Sequence, residues 1–267
     1  CSSREIASIL HHRHNPARKT PFAIRPVMEA LKDTDSGLLE RWSDASGADG
    51  AVVWDTRVGG RAVTLIGIES HHRRDADGPG ENQTWWAAGT LYPAAAKKIA
   101  RALNHASGRR PVAVLANLAG FDGSAWSLRN HQLEFGAEIA RAVVNFDGPI
   151  VVFVIGRFHG GAYVVFNKTL NDGVRMLAVE GTKVSVIGGS AAAEVVLTKK
   201  VQARAAELEG DAHAAAAEVA SEFDAVHSVE RAHAVGSVDA VIAAGQLRPA
   251  MIGELNAACD ARELRSG

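Results

Sequence analysis

The sequence predicts an α/β protein in which helices flank a mostly parallel sheet. Two runs of β-branched and other apolar residues, PVAVLANL (Pro111–Leu118) and PIVVFVI (Pro149–Ile155), lack polar alternation and read as strands buried on both faces. A helical stretch, Ser127–Asn145, lies between them, and another precedes the first, so strand, loop and helix alternate. Right-handed crossovers then place both strand ends on one side, where ligands of such sheets bind.

At 267 residues the chain can bury the core of one large or two small domains. Hydrophobic residues make up 47% and charged residues 22%, ordinary values for a globular protein. A net charge of −1 gives no reason to expect nucleic acid as a partner. The two cysteines, Cys1 and Cys259, form neither a disulfide framework nor a zinc spacing, so a cytoplasmic setting is expected. No apolar run approaches membrane-spanning length and no membrane partner is expected. The N-terminus has no signal-peptide pattern, and a first residue of Cys rather than Met points to a fragment or processed chain. The chain contains no internal repeat.

Along the chain, residues 1–20 are expected to be an extension or loop, with the basic, turn-rich HHRHNPARKTP at His11–Pro21. Ile24–Asp33 reads as a helix from its apolar spacing. Ala51–Thr56 and Arg61–Glu69 are strand-like and flank Val58-Gly59-Gly60, a hairpin turn. Ser70–Asn82 is a polar loop. Pro93–Ala106 is a helix with Pro in its first turn and Gly108 just past its end. In Ser127–Asn145, the residues Leu128, Leu133, Phe135, Ile139, Val143 and Val144 fall roughly on one side. Val174–Gly181 and Thr182–Gly189 read as strands; Ala191–Leu197, Val201–Phe223, Val238–Ala244 and Leu247–Cys259 read as helices.

Two loops fall at the carboxyl ends of the buried strands, Ala119–Ser124 and Arg157–Gly161. In the second, RFHGGAYVVF, the residues Gly160-Gly161-Ala162 leave no bulk beside the backbone, so an anionic oxygen could approach the amide N–H groups. The same residues also fit a tight strand-to-helix turn or a bulge. His11, His12, His14, His71 and His72 lie in basic, loop-like stretches without further ligands at metal spacing, so no metal is expected. Glu134 and Glu138 on one helix read as surface groups, Gly188-Gly189 as a turn rather than a phosphate loop, and Trp85-Trp86 as a packing anchor.

The order and spacing of several segments resemble the C-terminal half of the carboxyltransferase component of biotin-dependent acyl-CoA carboxylases. The segments are Asn15–Met28, Trp85–Asn104, Arg110–Ser124, Gln132–Phe166 (with its VIGRFHGGAYVVF), Val184–Leu197 and Gly236–Pro249. Leu118-Ala119 stand where acetyl-CoA carboxylases commonly carry Trp-Arg, which leaves the acyl group open. The resemblance implies a crotonase-like fold of ββα units wound into a superhelix, here over residues 21–267. It implies transfer of CO₂ from carboxybiotin to the α-carbon of an acyl-CoA, with the cofactor as base. The backbone N–H groups of Gly161 and Ala162 would serve the biotin ureido oxygen, at roughly 3–4 kcal/mol of barrier per donor. Gly160, Tyr163, Val164, Gly120, Phe121 and Gly89 would line the cofactor pocket. The implied partners are the N-terminal carboxyltransferase half, which holds the acyl-CoA, the biotin carboxyl carrier and biotin carboxylase units, and further copies in a homo-oligomer; this chain alone would be inactive. Two other readings stay open at this point: a single-domain crotonase, such as an enoyl-CoA hydratase or a decarboxylase, and a non-catalytic assembly module.

Overall fold

In the computed structural model, which describes residues 3–74, 79, 85–208 and 210–266, both buried runs lie at the middle of one sheet. Helices α1 (Ser3–Leu10) and α2 (Ile24–Leu31) lead into β1 (Leu39–Glu40), the hairpin of β2 (Ala51–Val58) and β3 (Arg61–Ile68), and the short β4 (Arg73–Arg74), β5 (Trp85–Trp86) and β6 (Thr90–Leu91). Helix α3 (Pro93–Ala106) precedes β7 (Val112–Leu118), β8 (Gly120–Phe121), α4 (Ala125–Arg129) and α5 (Gln132–Val144). Then come β9 (Ile150–Phe158), α6 (Gly161–Val165), β10 (Val174–Val179), β11 (Lys183–Val184), α7 (Gly189–Ala191) and a π-helical turn (Ala192–Val196). The chain closes with α8 (Thr198–Glu207), α9 (Ala212–Val226), α10 (Val229–Ala234), β12 (Ala240–Ile242) and α11 (Leu247–Ser266).

The main sheet runs β1-β2-β3-β7-β9-β10-β12, with β11 paired to the far end of β9. Its first two pairings are antiparallel; every pairing from β3 onward is parallel. Parallel neighbours need crossovers, supplied here by α3 and by α4–α5. One face buries Val112, Val114, Val152 and Val154 against Ile99 and Leu103 of α3 and Ile139 and Val143 of α5. The other buries Leu115, Val151, Phe153 and Ile155 against α2 and α11. Strands β7 and β9, covered on both faces, therefore read as unbroken apolar runs. Trp86, the expected packing anchor, is buried edge-on to Tyr92 and Trp126.

Several expectations need correction. Within residues 1–20, Ser3–Leu10 is a helix whose Ile6 and Leu10 join the second core. The buried Arg18 ties this segment down by donating to the carbonyls of Leu10, Glu180 and Gly181. Ser127–Asn145 is two helices, because His131 adopts a left-handed φ of 66° and restarts the spiral. The rotation leaves Ile139 and Val143 inside but turns Leu128, Leu133 and Val144 to solvent. Val201–Phe223 is also two helices: Gly210 takes a φ of 91°, and the Asp211 carboxylate accepts the Ala214 N–H at 2.9 Å to begin the second.

Val238–Ala244 holds a strand rather than a helix, since Ala240–Ile242 completes the sheet edge beside β10. A run that short carries no periodicity to choose between the two, and pairing decides. Of Thr182–Gly189 only Lys183–Val184 forms ladder. The final helix outlasts Cys259 and reaches Ser266. In the polar loop Ser70–Asn82, Arg73–Arg74 pair with Trp85–Trp86; residues 75–78 and 80–82 lie outside the described residues.

The two assignments of apolar residues separate in a stability experiment. Phe153, fully buried in β9, should lose about 3–5 kcal/mol on truncation to Ala. Leu133, 69% exposed, should lose less than about 0.5 kcal/mol. Urea unfolding of the two variants checks both values.

Candidate functional site

The site begins where β7 and β9 fall out of step. Their register holds from Val112↔Ile150 to Ala116↔Val154, and then Leu118 pairs with Phe158. The extra length of β9 is a bulge, which re-aims the residues that follow it. Asn117 fills the irregularity: its Oδ1 accepts the Arg157 N–H at 2.9 Å, and its Nδ2 donates to Ser70 Oγ at 3.1 Å. A Cβ at Gly156 would lie 2.4 Å from Asn117 Oδ1, so no other residue fits beside that carboxamide without movement.

Beyond the bulge three segments converge. Strands β6 and β8 pair in parallel, Thr90 opposite Gly120, and the Ala119 N–H donates to the Gly89 carbonyl at 2.7 Å. Gly160 takes a φ of 63° and donates its own N–H to the Val186 carbonyl at 2.8 Å. The Cα of Gly120 lies 3.3 Å from where a Cβ on Gly160 would stand. Gly161 and Ala162 open α6, so their N–H groups have no intrahelical acceptor.

The space beside Gly161 is not open on every side. Its missing Cβ would sit 2.3 Å from Cδ2 of Phe121, and the same ring lies 2.8 Å from the Cβ position of Gly136 on α5. Phe121 is thus clamped between two glycines and fixes loop 119–124 against α6. Gly161 is required by that packing as well as by any approach to its N–H, so Gly161→Val would test both at once.

Of the residues singled out from sequence, Gly89, Gly120, Phe121, Gly160 and Gly161 come together in this corner. Val164 is 55% exposed on α6. Tyr163 turns toward the interior, where its ring tilts against Phe158 and its hydroxyl meets Ser237 Oγ at 3.3 Å. Glu134 is exposed and faces His131 at 3.5 Å. His11, His12 and Glu180 bring three possible metal-binding atoms within 4.8 Å. The two imidazoles stack 4.6 Å apart with 22° between their planes, and Glu180, distant in sequence, joins them, an acidic neighbour that the sequence reading did not foresee.

Two residues of the loop gain significance only in three dimensions. His159 is buried, and its Nδ1 lies 3.0 Å from Ser185 Oγ and 3.3 Å from the Ser185 carbonyl. Ser185 in turn donates to the Ile187 carbonyl at 2.5 Å. Together with Gly160 to Val186, this network pins strand β11 and its extension to the loop. Burial lowers the His159 pKa, so the ring is held neutral. Arg157 is half-buried, and desolvation lowers its pKa. The one sequence signal for either was a cation ending an otherwise apolar strand.

Comparison with known proteins shows the family. The carboxyl transferase domain family matches residues 3–266, and the chain belongs to that family. It is 30% identical over 175 residues to the mitochondrial acetyl-CoA carboxylase of Saccharomyces cerevisiae, a match covering 58% of this chain and 8% of that protein. It is 29% identical over 182 residues to the acetyl-CoA carboxylase of Schizosaccharomyces pombe, covering 61% of this chain and 8% of the other.

Among solved structures, the transcarboxylase 12S hexamer crystallised with methylmalonyl-coenzyme A superimposes with a TM-score of 0.74 at 23% identity. That match covers 93% of this chain and 44% of that one. The β subunit of Pseudomonas aeruginosa geranyl-CoA carboxylase gives 0.75 at 19% identity, covering 97% and 45%. The fold is therefore the crotonase-like α/β fold of carboxyltransferases, and the chain spans less than half the length of each of these relatives.

The neutral, buried His159 has a consequence for acid stability. Because its folded pKa lies below the ordinary 6.5, the unfolded chain takes up a proton first as pH falls. Stability is therefore complete above pH 6.5 and declines below it, down to the lowered folded pKa. His159→Asn should flatten part of this decline in thermal melts recorded from pH 7 to pH 5; His105, also lowered by burial, retains its own share.

Proposed function

We propose that this chain is the biotin-holding half of an acyl-CoA carboxyltransferase, acting with an N-terminal half that holds the thioester. The observation that carries the reading is the corner of Gly89, Gly120 and Gly160. Gly120 abuts Gly160, the Gly89 carbonyl accepts the N–H of Ala119 next to Gly120, the Arg157 guanidinium stands at Gly89, and the first N–H groups of α6 follow Gly160. A flat ureido ring fits such a cradle, because a planar ligand can lie against main chain where no Cβ projects. Biotin, bound as its carboxylated form on a carrier, supplies the carboxyl group and the base.

The chain's own residues supply placement and charge stabilisation. The Gly161 and Ala162 N–H groups are oriented by the Gly160–Val186 bond on one side and the Phe121 clamp on the other. Donors fixed in advance need no rearrangement when negative charge appears on the ureido oxygen. Gly160, Gly120 and Gly89 provide the close approach, Phe121 one wall and Val164 the outer rim, while Tyr163, turned inward onto Phe158, stands behind the site rather than in it. Val164 and Val186, 55% and 61% exposed beside this corner, favour a site covered by a partner. That partner is the N-terminal half of another subunit in a homo-oligomer, served by biotin carrier and biotin carboxylase units. The cytoplasmic setting belongs to the same proposal and rests on the cysteine content.

Ala162→Pro tests the assignment without disturbing Phe121, since proline is tolerated in the first turn of a helix and removes only the N–H. In enzyme reconstituted with an N-terminal half, carboxylation should fall roughly 10²- to 10³-fold while the melting temperature holds. Unchanged transfer would remove Ala162 from the site. Carboxylation by the isolated chain at a normal rate, or hydration of crotonyl-CoA by it, would contradict the split-site reading.

A further inference from the structure

Arg157 is the one ionisable group at the corner that the reading above leaves without a task. Its Nε is sealed from solvent with no hydrogen-bond partner. Its Nη2 reaches only the Ala88 carbonyl, at a long 3.4 Å. No carboxylate pairs with it among the described residues. The chain's other inward-facing arginines are treated differently: Arg18 donates to three carbonyls, and Arg41 and Arg110 both reach the Asp55 carboxylate, at 2.6 and 3.1 Å. Sealing a guanidinium nitrogen from water without an acceptor is costly, and an incoming anion would offset that cost.

The position of the guanidinium suits such an anion. The Asn117 carboxamide holds the Arg157 backbone at the β7–β9 bulge, and the side chain reaches the Ala88 carbonyl beside Gly89. Its Nη2 lies 3.2 Å from where a Cβ on Gly89 would stand, so bulk at Gly89 would crowd the tip. The Gly89 carbonyl holds the Ala119 N–H, and the next residue, Gly120, abuts Gly160. His159 is neutral, and among the described residues no carboxylate is paired with the guanidinium.

We propose that Arg157 anchors the carboxylate in transit, gripping it through the guanidinium while the Gly161 and Ala162 N–H groups hold the ureido oxygen. This inference rests on the carboxyltransferase reading. A guanidinium presents donors in a planar fork that matches a carboxylate, and the strength of such charge-assisted pairs sets the size of the effect.

The test has two parts. In the first, the ¹⁵N-labelled chain is titrated with sodium malonate, and with malonamide as the uncharged control. The Arg157 Nε–H resonance is assigned by its disappearance in Arg157→Lys. Malonate should shift it saturably and malonamide should not. In the second, enzyme reconstituted with an N-terminal half is assayed with free N-carboxybiotin. Arg157→Gln should raise the KM for carboxybiotin roughly 10- to 100-fold and leave the KM for acyl-CoA within about twofold, with Arg157→Lys recovering part of the loss.

An unshifted resonance overturns the proposal, as do unchanged KM values or a parallel rise of both, which would mark a structural role. So does a shift produced by the N-terminal half alone that malonate cannot reverse, because an acidic residue of the partner would then be the anion. If Arg157→Gln fails to fold, the wild-type titration and Arg157→Lys decide. If wild-type reconstituted enzyme transfers no carboxyl group, the carboxyltransferase reading fails, while the malonate titration still judges the anion site by itself.

Discussion

The mismatch between β7 and β9, and the carboxamide that fills it, is the constraint on which the site depends. Two central parallel strands cannot lose register without stranding backbone amides in the core. Asn117 resolves this by accepting the Arg157 N–H and bonding onward to Ser70. Once that wedge is in place, the rest follows. Gly156 must stay small, Arg157 continues the strand to pair with Lys183, His159 drops into its slot beside Ser185, and Gly160 reverses the chain into α6.

What results is a site made chiefly of main chain. Apart from the Arg157 guanidinium, its polar side chains hold the backbone rather than face the ligand. Phe121 presses between Gly136 and Gly161, and His159 bonds to Ser185. Hydrogen bonds tie Gly89 to Ala119 and Gly160 to Val186. Rigid backbone donors suit a reaction in which charge develops on an oxygen, since their dipoles are already oriented. The apolar cores on both sheet faces supply that rigidity.

Much of this was legible in the sequence where local chemistry decides. Strands β7 and β9 announce themselves as apolar runs because both faces are buried. Helix α3 is bounded by Pro93 and by Gly108, which takes a φ of 71°. The glycines of the corner stood out because an unbulky turn after a buried strand has few uses. Where tertiary context decides, sequence reading failed. Ala240–Ile242 became a strand only because β10 had an open edge. His131 broke a helix whose pattern looked continuous. Asn117 and Ser185 carried no signal of their own, since each takes its role from a neighbour far away in the chain. Phe121 was expected as a pocket wall, but its clamp between two glycines depends on a helix fifteen residues on, which spacing does not report.

The central claim is that the N–H groups opening α6 receive the ureido oxygen of biotin. A crystal structure of the chain soaked with biotin methyl ester tests it most directly. The account predicts the ureido oxygen within hydrogen-bond distance of the Gly161 and Ala162 nitrogens, with the ring lying over Gly120 and Gly160. Biotin bound elsewhere, or those two N–H groups satisfied by an acceptor of the chain itself while the ligand sits in the corner, would contradict it.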